Sequence, residues 1–177
     1  ASDLYKRQKN IQGGYELWIS CASRGVAVLS VINPLLTLTL SVSFEAINSA
    51  DTLNVQLRYA SSPYNLVETI KGTGGLGTAH QFQFSNAVNG TPYYIVVKHR
   101  NSIETWSGHV SSFTSGALAY NFTAASNQAF GNNMKQVGPL WSFYSGDVNQ
   151  DDVVDLTDIV LVFNDAKTFT SGYVSTD

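Results

Sequence analysis

The feature that most constrains this chain is an alternation of apolar and polar residues, repeated along its middle. Leu36, Leu38, Leu40, Val42, Phe44 and Ala46 are separated by Thr37, Thr39, Ser41, Ser43 and Glu45. Successive side chains of a strand point to opposite faces, so a period of two demands a strand buried on one side. The pattern returns from Leu53 to Tyr59 after a turn at Asn48–Asp51, and again at Leu66–Lys71, His80–Phe84 and Tyr93–His99. Ser102–Trp106, Leu118–Thr123 and Leu140–Phe143 complete the set. Short strands spaced about 10 residues apart, with turn signals between them, predict a β-sandwich. Its expected span is residues 34–145.

Residues 1–33 are surplus to that sandwich. Tyr15–Ile19 and Val26–Ile32 each read as a strand, joined by a short flexible linker from Ser20 to Gly25. Their apolar faces need a second surface, either their own domain or the sheet edge of a neighbouring molecule. An exposed edge accepts a strand from another chain through main-chain hydrogen bonds.

Composition narrows the classes. Of 177 residues, 44% are hydrophobic and only 13% charged, which argues for a packed core and against disorder. The net charge of −3 excludes a general nucleic-acid binder. Cys21 is the single cysteine, so an internal disulfide and a cysteine zinc cluster are excluded. The apolar run Val26–Leu40 contains Asn33, Pro34, Thr37 and Thr39, whereas a membrane span needs about 20 mostly apolar residues. No transmembrane span is expected.

Catalytic signals are weak. Gly72-Thr73-Gly74-Gly75-Leu76-Gly77 fits G-x-G-x-x-G, but a strand pattern follows instead of the helix that binds a pyrophosphate. It reads as a hairpin turn. His80, His99 and His109 lack metal-ligand spacing, and Glu45, Glu68 and Glu104 fall on or beside separate strands. There is no G-x-S-x-G elbow and no H-E-x-x-H pair. A non-enzymatic protein is expected.

The specific signal lies in the tail. From Asp147 to Asp177 there are seven acidic residues and one basic residue, Lys167, interleaved with apolar ones. Counting Asp147 as position 1, side-chain oxygens fall at positions 1, 3, 5, 9 and 12: Asp147, Asn149, Asp151, Asp155 and Asp158. Val153, at position 7, offers its carbonyl. That is the spacing of an EF-hand loop, in which alternate residues wrap hard oxygens round one calcium ion. Val154 is expected to pack inward. Position 6 is Asp152 where an EF-hand has glycine, so Asp152 is expected to take the left-handed conformation at some cost. Leu156, Ile159, Val160 and Phe163 then recur at helical period and predict a short helix to about Asn164, its stripe docked on apolar surface.

The segment Asp147–Asn164 resembles a dockerin repeat, a calcium loop plus helix of secreted bacterial proteins. Dockerins carry two repeats, and the chain reaches Asp177 where the first aspartate of a second would fall, so it reads as stopping within the motif. Tyr93–Ser107 and Phe130–Val137 resemble the C-terminal region of large secreted proteins of Bacteroidetes and Ignavibacteria-like bacteria. There a prealbumin-like (Cna-B-like) β-sandwich precedes a dockerin-like pair. The resemblance covers residues 36–177 and implies an extracellular address and calcium. The expected fold is therefore mainly β: an immunoglobulin-like or prealbumin-like sandwich, with an incomplete dockerin-like calcium segment at 146–177.

Three functions compete. The first is an extracellular structural protein, stabilised by calcium, that assembles with copies of itself into a filament or surface layer. The second is a dockerin-type module that attaches a larger protein to a cohesin-like partner. The third is a carbohydrate-binding module using aromatics such as Tyr64, Trp106 and Trp141. Asn89-Gly90-Thr91 and Asn121-Phe122-Thr123 fit the N-x-S/T pattern and make Asn89 and Asn121 candidate glycan acceptors.

Overall fold

The computed structural model describes residues 6–11, 14–21, 25–32 and 34–176. It is mainly β, with several sheets arranged like a β-sandwich. The chain divides into two compact units, Ala1–Leu35 and Leu36–Asp177.

The first unit contains a three-stranded antiparallel meander of β1 (Lys6–Ile11), β2 (Gly14–Cys21) and β3 (Gly25–Ile32). The two apolar stretches read from the sequence are β2 and β3. Strand β1 is an addition: Lys-Arg-Gln-Lys-Asn-Ile carries no apolar alternation, and pairing with β2 from Lys6↔Ile19 to Ile11↔Gly14 defines it. Residues 22–24 of the expected linker lie outside the described residues.

In the second unit, β4 (Leu36–Ser41) opens the chain, followed by β5 (Asp51–Tyr59), β6 (Leu66–Gly74) and β7 (Ala79–Phe84). Then come β8 (Pro92–His99), β9 (Ser102–Trp106), the two-residue β10 (Ser111–Ser112) and β11 (Ala117–Asn121). A small hairpin of β12 (Lys135–Val137) and β13 (Leu140–Ser142) precedes α1 (Leu156–Thr168), the one α-helix among the described residues. One sheet has the order β10-β8-β5-β6, with β9 also on β8; the other has the order β11-β4-β7. Strand β11 runs parallel to β4, so the first and last long strands of this unit lie side by side.

The core lies between the inner faces of these two sheets. Leu53, Val55, Leu57, Tyr93, Ile95 and Val97 face Leu36, Leu38, Leu40, Phe82 and Phe84, and all belong to one buried cluster. Phe113 and Phe143 fill it from outside the named strands, and Phe122 from a short 3-10 helix, Phe122–Ala124. The period-two expectation holds residue by residue along β4, whose burial alternates throughout. The strand is shorter than the sequence pattern, because the chain changes partners after Ser41. The Val42 carbonyl accepts from the Gly77 N–H at 2.8 Å, and Ser43 and Glu45 then exchange backbone bonds with Phe143.

The glycine run serves packing. Strand β6 continues through Gly72 and Gly74, past the expected end at Lys71. A Cβ on Gly74 would stand 2.6 Å from the Leu53 side chain, closer than real contacts allow. Gly77 turns the chain into β7 at φ +72°, a conformation costly for any side chain. No helix among the described residues is long and apolar enough to cross a membrane.

Candidate metal site

Residues 147–158 form a turn-rich loop leading into α1, and the side chains of Asp147, Asn149, Asp151, Asp155 and Asp158 each accept from backbone N–H groups. The Asp147 carboxylate accepts from the N–H groups of Asp151 and Asp152, both at 3.1 Å. Asn149 Oδ1 accepts from the Asp151 N–H at 3.0 Å, and Asp151 Oδ1 from the Val153 N–H at 3.0 Å. Asp155 is the N-cap of α1 and accepts from the Thr157 N–H at 2.7 Å. Asp158 closes the loop: its Oδ1 accepts from Val148 at 2.8 Å and Asn149 at 3.2 Å, and its Oδ2 from Asp155 at 2.9 Å. Asp155 and Asp158 together make a capping box, which fixes the start of the helix.

The bonds of Asn149, Asp151 and Asp155 each span two residues, the reach of an Asx turn, whereas those of Asp147 and Asp158 span three or more and draw the loop together. Asp152 stands at φ +68° and Gln150 at φ +62°, so the left-handed turn expected at position 6 is present without glycine.

Electrostatics make the loop demanding. Asp147 is 1% exposed and Asp158 is 2% exposed. Burial pushes the Asp147 carboxyl above its ordinary pKa, the Asp158 charge adds to this, and the N–H groups of Asp152, Asp151 and Gln150 oppose it. Asp158 is held below the ordinary value, first by the Asp155 N–H and then by those of Asn149 and Val148, against burial. Among the described residues no Lys, Arg or His forms an ion pair with any carboxylate of the loop.

The donor chemistry fits a hard divalent cation. Every group at positions 1, 3, 5, 7, 9 and 12 is an oxygen, and a carboxylate bonded to one or two N–H groups keeps further lone pairs. As the side chains stand, no three His, Cys, Asp or Glu among the described residues converge into a metal-binding group. The carboxylates are turned onto the backbone instead.

Two expectations about this segment are corrected. Val154 is 47% exposed; Val148 takes the inward place, at 6%. The helical stripe is present but uncovered: Leu156 is 71% exposed, Ile159 62% and Phe163 63%. The helix also runs four residues beyond Asn164, to Thr168, and ends at Phe169 with φ +53°.

The segment is held to the sandwich by polar contacts that sequence reading missed. The Asn101 side chain donates to the Ser175 carbonyl at 2.8 Å and accepts from the Gly146 N–H at 2.9 Å. Gln150 Nε2 donates to the Ser102 carbonyl of β9 at 3.5 Å, besides bonding the Asp147 carbonyl within its own loop at 2.6 Å. Asp51, at the start of β5, gathers the rest: it accepts from the Tyr173 hydroxyl at 2.8 Å, from Arg100 Nε at 3.2 Å and from His99 Nε2 at 3.0 Å. Arg100 also lies 4.3 Å from the centre of the Tyr173 ring.

His99 Nδ1 accepts from the Asn101 N–H at 3.2 Å, so the neutral ring carries its proton on Nε2 and gives it to Asp51. Burial lowers the His99 pKa, with Asp51 opposing and Arg100 reinforcing the shift. Burial also tends to raise Asp51, but bonds from the Thr52 N–H, His99, Tyr173 and Arg100 outweigh it and hold the carboxyl at about 2. Ser102 Oγ lies 3.3 Å from His99 Nδ1. That serine is 1% exposed, so the Asp–His–Ser array offers no nucleophile to solvent and reads as a structural tie.

The other candidate residues stay apart. His80 bonds Thr78, and His109 packs on Tyr120. Glu45 pairs with Lys135, Glu68 accepts from Ser85 and Asn86, and Glu104 pairs with Lys98. Asn89 and Asn121 are both exposed. Asn89 accepts from the Gly116 N–H, and Asn121 from the N–H and hydroxyl of Thr123. Of the three aromatics named above, Tyr64 and Trp106 come together, with ring centres 6.1 Å apart. Trp141, on β13, packs against the core instead. No protein-family model, curated protein or solved structure matches the chain.

Proposed function

We propose that this chain is a non-enzymatic extracellular structural protein, stabilised by calcium in the loop 147–158, that assembles with copies of itself by strand pairing. The observation that carries the calcium part is the pair of buried carboxylates, Asp147 and Asp158, which pair with no cationic side chain among the described residues and lie in a loop with oxygens at positions 1, 3, 5, 7, 9 and 12. Asp147, Asn149, Asp151, the Val153 carbonyl, Asp155 and Asp158 would hold the ion. The ion would supply the positive charge that no side chain among the described residues supplies there. In the same reading the sandwich is immunoglobulin-like or prealbumin-like, and the tail is a dockerin-like calcium segment.

Support for assembly comes from the first unit. Its outer strands β1 and β3 each have one unpaired edge among the described residues. Such an edge pairs readily with another chain. A head-to-tail contact of this kind builds an open filament unless its rotation closes a ring. The experiment compares the full chain with one lacking residues 1–33, by sedimentation velocity and electron microscopy. The full chain is expected to polymerise and the truncated chain to remain a folded monomer. The same polymer from the truncated chain would refute strand donation.

A second reading is favoured by one observation, the uncovered stripe of Leu156, Ile159, Val160 and Phe163 on α1. It makes the tail a docking surface for a cohesin-like partner. A full chain that stays monomeric at high concentration, yet binds a cohesin-like domain through Phe163, would replace the first reading with this one.

A further inference from the structure

We propose that the outer face of the β8 sheet carries a binding pocket for a neutral sugar ring, walled by Tyr64, Tyr94, Trp106 and Phe130. This site is independent of the assembly reading. Tyr93, Ile95 and Val97 of β8 point into the core, so Tyr94 and Val96 point outward. Register places Arg58 opposite Tyr94 and Trp106 opposite Val96, on the same outer face. A solvent face of a sheet is ordinarily polar. Here it bears aromatic rings, and Phe130, which is 67% exposed, joins them from a neighbouring loop.

The rings form walls at angles to one another. Tyr64 stands edge-on to Tyr94 and to Trp106, with centres 5.9 Å and 6.1 Å apart, and Tyr94 lies 5.9 Å from Trp106. The pocket between them is open on one side and about 340 Å³, at the lower end of the range for small-ligand sites, about 300–1,000 Å³. One wall is set by strained backbone. Tyr64 has φ +57°, an outlying conformation for a bulky residue. The loop holds it there: the Tyr64 N–H donates to the Ser61 carbonyl at 2.8 Å, and its own carbonyl accepts from Arg58 at 3.4 Å. Strain of this kind concentrates where a side chain must be presented in one place.

The surroundings select the ligand. Arg58 sits 5.4 Å from the centre of the Trp106 ring, tethered by Gln56, so a cationic guest meets a charge of its own sign. The Trp106 indole N–H is engaged by Glu104 at 2.6 Å, and Glu104 is neutralised by Lys98. No indole donor remains for the carbonyl of an extended peptide. Two lining residues, Tyr64 and Tyr94, carry hydroxyls that hydrogen-bond no protein group among the described residues. A phenol hydroxyl both donates and accepts. Apolar ring walls with two such hydroxyls match a pyranose, which has a face of C–H groups and an edge of hydroxyls.

The test titrates the full chain with neutral oligosaccharides (glucan, mannan, xylan and N-acetylglucosamine series), following tryptophan fluorescence and heat. At least one series is expected to bind, and Phe130→Ala and Tyr64→Asn are each expected to weaken it by about tenfold or more. Asn tolerates the left-handed backbone at position 64, so the melting temperature of Tyr64→Asn should not fall. Absence of binding by every neutral series at millimolar concentration would overturn the proposal. So would binding of tetramethylammonium or a proline-rich peptide in their place, or sugar binding undiminished in both variants.

Discussion

Replacing Asp158 by alanine tests whether the loop 147–158 is closed by one carboxylate. In the folded chain that carboxylate accepts three backbone N–H groups, from Val148, Asn149 and Asp155. A hydrogen bond to a charged group contributes about 1.5–3 kcal/mol, and a helix cap about 1 kcal/mol. These terms overlap, and water can reach the more exposed amides after truncation. A net cost of about 3 kcal/mol remains, concentrated on the 6% exposed Val148. Asp158→Asn keeps the oxygen shared by Val148 and Asn149 and loses only the acceptor for Asp155, so about 1 kcal/mol is expected. The loop can open without the sandwich unfolding, so the assay is amide hydrogen exchange of the chelated protein. Protection at Val148 and Asn149 should fall about 100-fold in the alanine variant and less than about 10-fold in the asparagine variant. Protection unchanged within about 3-fold in Asp158→Ala would refute the view that this side chain closes the loop.

Acid should weaken the fold through Asp51. Its carboxyl ordinarily titrates at 3.8 and is held at about 2 in the folded chain, so the stability it adds is complete above the unfolded value and is lost as pH falls from about 4 to 2. Its side chain is only 10% exposed, and the loss is about 2 kcal/mol. His99, also depressed, adds a decline of the same sign as pH falls below 6.5. Urea midpoints against pH should show both, and Asp51→Asn should flatten the acid limb. Gly108→Ala should cost about 2–3 kcal/mol in urea unfolding, because its Cβ would stand 2.1 Å from the Asn127 carbonyl oxygen. A change under about 1 kcal/mol would show that this backbone yields. Phe163→Ser on the open face of α1 should leave stability within about 0.5 kcal/mol; a larger fall would mean that the face is covered in solution.

Much of the core was legible because burial and period coincide in a strand. Leu36, Leu38 and Leu40, like Tyr93, Ile95 and Val97, are where alternation puts them. Strand β1 was not, since Lys6–Ile11 is strand only by pairing with β2. The helical period of Leu156, Ile159, Val160 and Phe163 correctly grouped one face, but a period says which residues share a face and nothing about what covers it. The bonds of Asn149, Asp151 and Asp155 were legible from spacing, because an Asx bond reaches two residues along the chain; those of Asp147 and Asp158 reach further and were not. The contact of Tyr173 with Asp51 joins positions 122 residues apart and leaves no local trace. Tyr64 and Trp106 were visible as aromatics, but a tryptophan on a strand reads equally as core or surface. Only the register of β9 on β8 turns Trp106 outward.

The most direct measurement is isothermal titration of the metal-free full chain with calcium. One ion per chain is expected, with Kd between about 10⁻⁷ and 10⁻³ M, the span from sensor to extracellular loops. Magnesium should bind more weakly, because the loop is a flexible cage of oxygens rather than a strict octahedron. Asp147→Ala and Asp151→Ala should each weaken calcium binding, since the first is the buried carboxylate at position 1 and the second supplies position 5. Heat above background with this stoichiometry would support calcium as the stabilising ion. No heat above background from the parent chain would contradict it.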